Sequence, residues 1–189
     1  MELYEVLNTI NKYVEIAVYW GRLNFSISEN DRKMKELLKD INYMKLIKQL
    51  KRSKELTKSY NVYEQIQITN RKELRGYEEE LNQQHKKFEL VINSLPNDQL
   101  SEVCNSLDRT IKNIYDGIIS KGLQRDKLRK EAVELRNRNK IDQANEVMED
   151  ANDLDTRINF DSDSLEYYKS IIVNLRVRLS ENKNNSFKN

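Results

Sequence analysis

The chain has 189 residues, of which 34% are charged and 38% are hydrophobic, and its formal net charge at pH 7 is +2. The charged share exceeds the roughly one quarter of an average globular domain, which excludes a thick core of fully buried strands. Because the charges nearly balance, no global field draws the protein toward nucleic acid or membranes.

Only four glycines and one proline interrupt the chain, and its apolar residues recur at spacings of three and four, which is typical of amphipathic helices. The first predicted helix spans about residues 2–25. A turn is predicted from Ser26 to Asn30, because Ser28 and Asn30 are both suited to cap a following helix.

The second predicted helix is long, from about residue 31 to residue 95. It ends before Pro96, because proline lacks the N–H donor and disfavours helical backbone in the residue before it. Its second half carries a coiled-coil seam with alternating spacings of three and four, formed by Tyr60, Tyr63, Gln67, Asn70, Leu74, Tyr77, Leu81, Gln84, Phe88, Val91 and Leu95. The three amides in this seam either fix the register from buried positions or face solvent, and the sequence favours the two interpretations equally.

The third predicted helix spans about residues 98–136 and carries a second heptad series of apolar residues. Lys121 and Arg125 interrupt this series beside Gly117 and Gly122. We therefore expect a bend or a loosened interface at this point.

A turn is predicted near Asn139, followed by a fourth helix over about residues 142–158 with Asp142 as its N-cap. A second break precedes the last predicted helix, residues 164–181. The polar, asparagine-rich residues 182–189 are predicted to form a disordered tail.

These elements predict an all-α fold, an elongated antiparallel helical bundle or coiled coil built around one long helix. Residues 1–181 are expected to form a single domain. Because the chain offers more apolar stripe than a simple hairpin covers, we expect a homodimer or a constitutive hetero-complex.

Charge is segregated along the chain although its total is balanced. Residues 32–58 and 121–140 are rich in lysine and arginine, whereas residues 142–166 are strongly acidic. A turn near Asn139 would place the second basic segment antiparallel to the acidic one, and the paired charges would select that orientation.

The first basic segment has two functional interpretations and one simpler one. A candidate face for anionic ligands, either lipid headgroups or nucleic-acid phosphates, consists of Lys48, Lys51, Arg52, Lys54 and Lys58. The simpler interpretation, which we favour, is a solvated helix face or a match for the acidic segment 142–166.

The residues that carry chemistry are scarce. One cysteine and one histidine exclude an internal disulfide and a zinc module, and a reducing compartment is expected. The sequence also lacks a phosphate-binding loop and a metal-ligand pattern, so we predict neither an enzyme nor a bound cofactor or metal. With no basic region for a signal peptide and no membrane-spanning stretch, a cytoplasmic or nuclear protein is expected.

The sequence therefore predicts a non-enzymatic coiled-coil adaptor or structural subunit of a multiprotein assembly. Its expected partner interface on the seam comprises Tyr60, Tyr63, Leu74, Tyr77, Leu81 and Phe88, because aromatic anchors bury a large area at a low entropy cost. The first alternative resembles the dimeric, membrane-surface modules of the BAR class, which bind anionic lipid through a basic face. A less favoured alternative is a subunit of a nucleic-acid-associated complex.

Overall fold

The computed structural model describes residues 2–186, with side chains up to Glu181, and over these residues the fold is all-α. It contains four long helices: α1 (Leu3–Leu46), α2 (Leu50–Ser94), α3 (Asn97–Asn137) and α4 (Ile141–Ser186). No strand occurs in this part of the chain. The predicted all-α helical-bundle class is confirmed.

The helices form two compact units, and the first, here called the terminal unit, comprises Met1–Val14 together with Phe88–Asn189. In it α3 and α4 run antiparallel, and the phenol of Tyr168 on α4 donates a hydrogen bond of 2.8 Å to Asn11 on α1. Tyr13 stacks on Phe88 with ring centroids 5.2 Å apart. The buried core includes Val6, Ile10, Ile92, Leu100, Val103, Leu107, Leu165, Ile172 and Leu175.

The second unit, here called the central unit, comprises Glu15–Lys87 and is an antiparallel hairpin of α1 and α2. Its two helices are joined by stacking of Tyr19 on Tyr77, with ring centroids 5.9 Å apart. Its interior is partly polar, since the buried side chains include Ile16, Val18, Ile27 and Ile41 together with Asn30, Ser53, Gln67 and Gln84. That residues 1–181 behave as one domain stays a prediction.

The predicted turn at Ser26–Asn30 is wrong, because α1 continues through it to Leu46. The two expected capping residues lie inside the helix instead. Ser28 donates to the carbonyl oxygen of Asn24 at 3.0 Å, and Asn30 is buried. Side chains that favour helix ends are tolerated in a helix interior when they bond one turn back or pack against a neighbour.

The predicted continuous helix 31–95 is also wrong, because the chain turns at residues 47–49. Lys48 adopts a left-handed conformation with φ of 58°, and Gln49 N–H donates to the Met44 carbonyl at 2.9 Å. Lys48 N–H donates to the Lys45 carbonyl at 3.1 Å. This pair of bonds is the Schellman helix ending, in which the left-handed residue is usually glycine. Because lysine occupies that position here, the sequence does not indicate the turn.

The other boundaries agree better with the prediction. Helix α2 ends two residues before Pro96, and a second Schellman ending follows α3 with Asn139 at φ of 59°. Lys140 N–H there donates to the Leu135 carbonyl at 2.9 Å. The expected break between 158 and 164 is absent, since α4 runs to Ser186, past the expected helix end at 181. Of the predicted tail, residues 187–189 lie outside the described residues.

Candidate interaction surfaces

The six side chains predicted to bind a partner are all half-buried within the chain itself: Tyr60, Tyr63, Leu74, Tyr77, Leu81 and Phe88. Three of them contact α1. Tyr77 and Phe88 stack on α1 tyrosines, and the ammonium of Lys33 lies 5.7 Å from the centroid of the Tyr63 ring. The seam therefore packs the chain's own hairpin, and partner binding through it stays a prediction.

The seam amides are part of the same packing, which favours the interpretation that they fix the register. Gln67 is buried, and its Nε2 donates to the Ile27 carbonyl at 3.2 Å and to Asp31 Oδ1 at 2.7 Å. Half-buried Asn70 donates to the Ser26 hydroxyl at 3.3 Å. The Oε1 atom of Gln67 is buried and accepts no hydrogen bond in the described structure. A slipped hairpin would leave the Nε2 donor unsatisfied as well.

The interface of α3 and α4 contains a ladder of ion pairs. The Asp155 carboxylate forms ion pairs with Arg125 at 3.0 Å and with Arg129. Lys121 forms an ion pair with Asp161. Hydrogen bonds from Arg125 to Asp126 and then to Asp155 raise the pKa of its guanidinium. The predicted pairing of basic and acidic segments across the turn is confirmed for these residues.

The bend or loosened interface expected near Lys121 is absent. Helix α3 continues through both Gly117 and Gly122, so the glycines do not interrupt it. Lys121 and Arg125 occupy heptad positions but meet carboxylates on α4 rather than leaving a gap. A charged residue in a heptad series thus indicated a partner of opposite charge.

Replacing Asp155 with asparagine is expected to lower the melting temperature by a few degrees, because Arg125 and Arg129 both lose their partner on α4. The loss should shrink as the salt concentration rises, since partly exposed charges are screened. Thermal unfolding followed by circular dichroism measures both effects. Asp153→Asn is the matched control, because Asp153 is exposed on the same helix; an equal loss for both variants would contradict the ladder's contribution.

A row of exposed apolar side chains, here called the α3 row, lies on α3 away from the heptad series that packs on α4. Tyr115, Ile119 and Leu123 follow one another at spacings of four, with exposed fractions of 56%, 47% and 69%. Residues at this spacing lie on one face of a helix. A Cβ atom added at Gly122 would meet no atom within 4 Å, so open space adjoins the α3 row.

The turn between α1 and α2 forms a second exposed surface. Tyr43, Leu46 and Leu50 are 58%, 81% and 63% exposed, and the residues of the predicted anionic-ligand face are all exposed as well: Lys48, Lys51, Arg52, Lys54 and Lys58. Arg52 forms an exposed ion pair with Glu55 at 3.2 Å. This group, here called the basic-apolar turn, keeps the face predicted from the sequence and adds the apolar side chains, which sequence reasoning had placed inside a helix.

Among the described residues, no three histidine, cysteine, aspartate or glutamate side chains are placed to hold a metal ion. Cys104 is buried, and burial raises the pKa of its thiol, which disfavours the thiolate. None of the described helices has an apolar stretch long enough to cross a bilayer.

The α3 row and the basic-apolar turn are therefore the two candidate interaction surfaces of the described residues. Both include large apolar side chains that are exposed. No protein-family model, no curated protein and no solved structure matches this chain.

Proposed function

We propose that this protein is a non-enzymatic structural or adaptor subunit that binds an α-helix of a protein partner through the outer face of α3. The observation that carries the proposal is the α3 row. Its three side chains are large and apolar, they occupy consecutive turns, and each is roughly half or more exposed. Such a row at helical spacing is how an amphipathic helix recognises another helix.

A partner helix on the α3 row would cover apolar surface that is exposed in the isolated chain. Burying apolar surface contributes roughly 25 cal/mol per Å², and large aromatic and aliphatic side chains are the usual anchors of interfaces. Isolated exposed apolar residues are ordinary on protein surfaces. Three on consecutive turns of one helix form a continuous stripe instead, and the open space beside Gly122 leaves room for close approach of a second helix.

The α2 seam supports the hairpin in this proposal. Leu74 and Leu81 of the seam are half-buried, so a charge placed there disturbs folding before it disturbs partner binding. A charge placed in the α3 row should affect partner binding without affecting folding, because the side chains of this row are exposed. The two surfaces therefore predict different results for equivalent substitutions.

The double variant Ile119→Glu with Leu123→Glu is expected to keep the helicity and the melting temperature of the original protein but to lose its complex. Glutamate is a good helix former, and exposed positions tolerate substitution within about 0.5 kcal/mol. Leu74→Glu with Leu81→Glu should instead lower the melting temperature. Circular dichroism measures folding, and light-scattering mass of the complex purified from native cells measures assembly.

Photo-crosslinking identifies the surface directly. A photoreactive phenylalanine analogue in place of Ile119, in the full chain in its native cells, should form one adduct of defined mass. The same analogue in place of Asn113, which is exposed elsewhere on α3, should form none. An adduct of twice the chain mass means a second copy, and another mass means a different partner. A folded protein that forms no adduct from position 119 would overturn the proposal.

A further inference from the structure

The basic-apolar turn combines two properties that protein surfaces normally keep apart. The basic-apolar turn lies in residues 41–58, which contain six basic side chains and one acidic one, Glu55, which pairs with Arg52 at 3.2 Å. The six are Lys45, Lys48, Lys51, Arg52, Lys54 and Lys58. Within the same segment Leu46 is 81% exposed, the highest value among the large apolar side chains described, and Leu50 is 63% exposed. Tyr43 and Ile47 add further exposed apolar surface.

The backbone of the turn explains why these side chains point outward. The left-handed conformation of Lys48 ends α1 abruptly, and α2 begins two residues later at Leu50. A left-handed backbone is strained for most residues other than glycine. The turn thus keeps a basic side chain at a position that glycine would occupy with less strain, and the apolar residues on either side of it remain uncovered.

We infer that the basic-apolar turn docks on the surface of an anionic lipid bilayer, with Leu46, Ile47 and Leu50 entering the headgroup region and the surrounding lysines and Arg52 contacting lipid phosphates. Interfacial helices bind in this way, with apolar side chains inserted to a shallow depth and basic side chains at the headgroups. Long lysine and arginine side chains reach the headgroups while their aliphatic stems cover apolar surface. This surface differs from the α3 row and does not depend on the function proposed for that row.

Charge and side-chain type favour a bilayer over the other anionic partners. Single-stranded nucleic acid is bound by aromatic platforms interleaved with basic residues, whereas the most exposed apolar side chains here are the aliphatic Leu46 and Leu50. Aliphatic side chains gain little from a phosphate backbone but gain free energy on entering lipid. Each basic residue near an anionic membrane adds to the attraction, and six basic side chains in residues 41–58 outnumber the single acidic one, Glu55.

The test uses the full chain and vesicles made either of phosphatidylcholine alone or of an equal mixture of phosphatidylcholine and phosphatidylserine. Co-sedimentation should show binding to the mixed vesicles and little to the neutral ones. Lys48→Glu with Lys51→Glu and Arg52→Glu should weaken binding at least about tenfold. The control triple Lys127→Glu with Lys130→Glu and Arg138→Glu changes the net charge equally at exposed sites on and beside α3 and should bind as the original protein does.

Insertion is tested separately by Leu46→Ser with Leu50→Ser, which keeps every basic residue. This variant should lose at least about fivefold in affinity for the mixed vesicles, because apolar burial is removed. An environment-sensitive dye on Gln49→Cys, in a Cys104→Ser background, should shift to the blue on the same vesicles, and one on Gln124→Cys should not. Absence of vesicle binding overturns the inference, as does unchanged binding of the serine variant or tighter binding to single-stranded DNA than to vesicles.

Discussion

Replacing Leu107 with alanine is expected to lower the free energy of unfolding by about 2–5 kcal/mol. Leu107 lies on α3 in the core of the terminal unit and has no exposed surface. Alanine removes the buried isopropyl group and leaves a cavity that the surrounding helices fill only in part. Since whole domains are stable by only about 5–15 kcal/mol, this single change removes a large share of the total. Urea unfolding followed by circular dichroism gives the difference.

Leu123→Ala is the control, because it makes the same chemical change on the same helix at an exposed position. It should alter the free energy of unfolding of the isolated protein by no more than about 0.5 kcal/mol. The same control variant should weaken the complex if the α3 row binds a partner. Equal losses for the two leucines would mean that α3 is rotated about its axis relative to this structure.

The helices were predictable because their signal is distributed over many residues. In α3 the apolar positions recur along most of a helix of 41 residues, and no single exception changes the period. Helix α4 is predicted only as two shorter helices, because the polar residues 161–164 resemble a turn, whereas the helix is continuous from Ile141 to Ser186. The turn at Asn139 and the boundary at Pro96 were predictable for a different reason. Asparagine tolerates the left-handed backbone and proline forbids the helical hydrogen bond, so each residue type indicates its own structure.

The turn between the first two helices was misplaced because residue type is a weak guide when tertiary contacts decide. Ser28 and Asn30 are suited to a helix end but are accommodated inside α1. Lys48 is a good helix former but holds the left-handed position of the turn. The boundary therefore lies at residues 47–49 and not at the predicted 26–30. Because residues 47–49 lie inside a predicted helix, the sequence does not predict the exposed apolar side chains of the basic-apolar turn.

The candidate surfaces were predictable in part. The basic residues 48–58 form a cluster that is visible in the sequence, but the neighbouring apolar side chains lie inside the predicted helix 31–95. The α2 seam is predicted as a coiled coil that binds a partner, and three of its side chains contact α1 of the same chain. Heptad spacing does not distinguish an internal partner helix from an external one. Exposure of the α3 row depends on which face α4 covers, and periodicity alone does not decide that.

The second large effect is expected at Gln67, where Gln67→Glu should destabilise the central unit by about 3 kcal/mol or more at pH 7. The amide nitrogen of Gln67 donates to Asp31 at 2.7 Å and to the Ile27 carbonyl at 3.2 Å. A carboxylate oxygen in its place has no hydrogen to donate and faces another carboxylate. Burial and the charge of Asp31 both favour the protonated form, so the pKa of the introduced carboxyl group in the folded variant rises above its unfolded value.

The sign of the pH dependence follows from that raised pKa. The penalty is fully present above the folded pKa, and it diminishes as the pH falls through the folded pKa toward the unfolded value of about 4.3. Protonation also restores a donor toward Asp31. Urea unfolding between neutral and mildly acidic pH should therefore show the variant approaching the original protein as the pH decreases.

Gln67→Met provides the matched comparison, because it keeps the length of the side chain and removes both the donor and the unbonded Oε1 atom. Its effect should stay within about 1.5 kcal/mol and should not depend on pH, since Asp31 retains its contact with Arg71 at 3.3 Å. A glutamate variant as stable as the methionine variant at pH 7 would place residue 67 away from Asp31. The register of the α1–α2 hairpin, and with it the position of the basic-apolar turn at its end, would then be wrong.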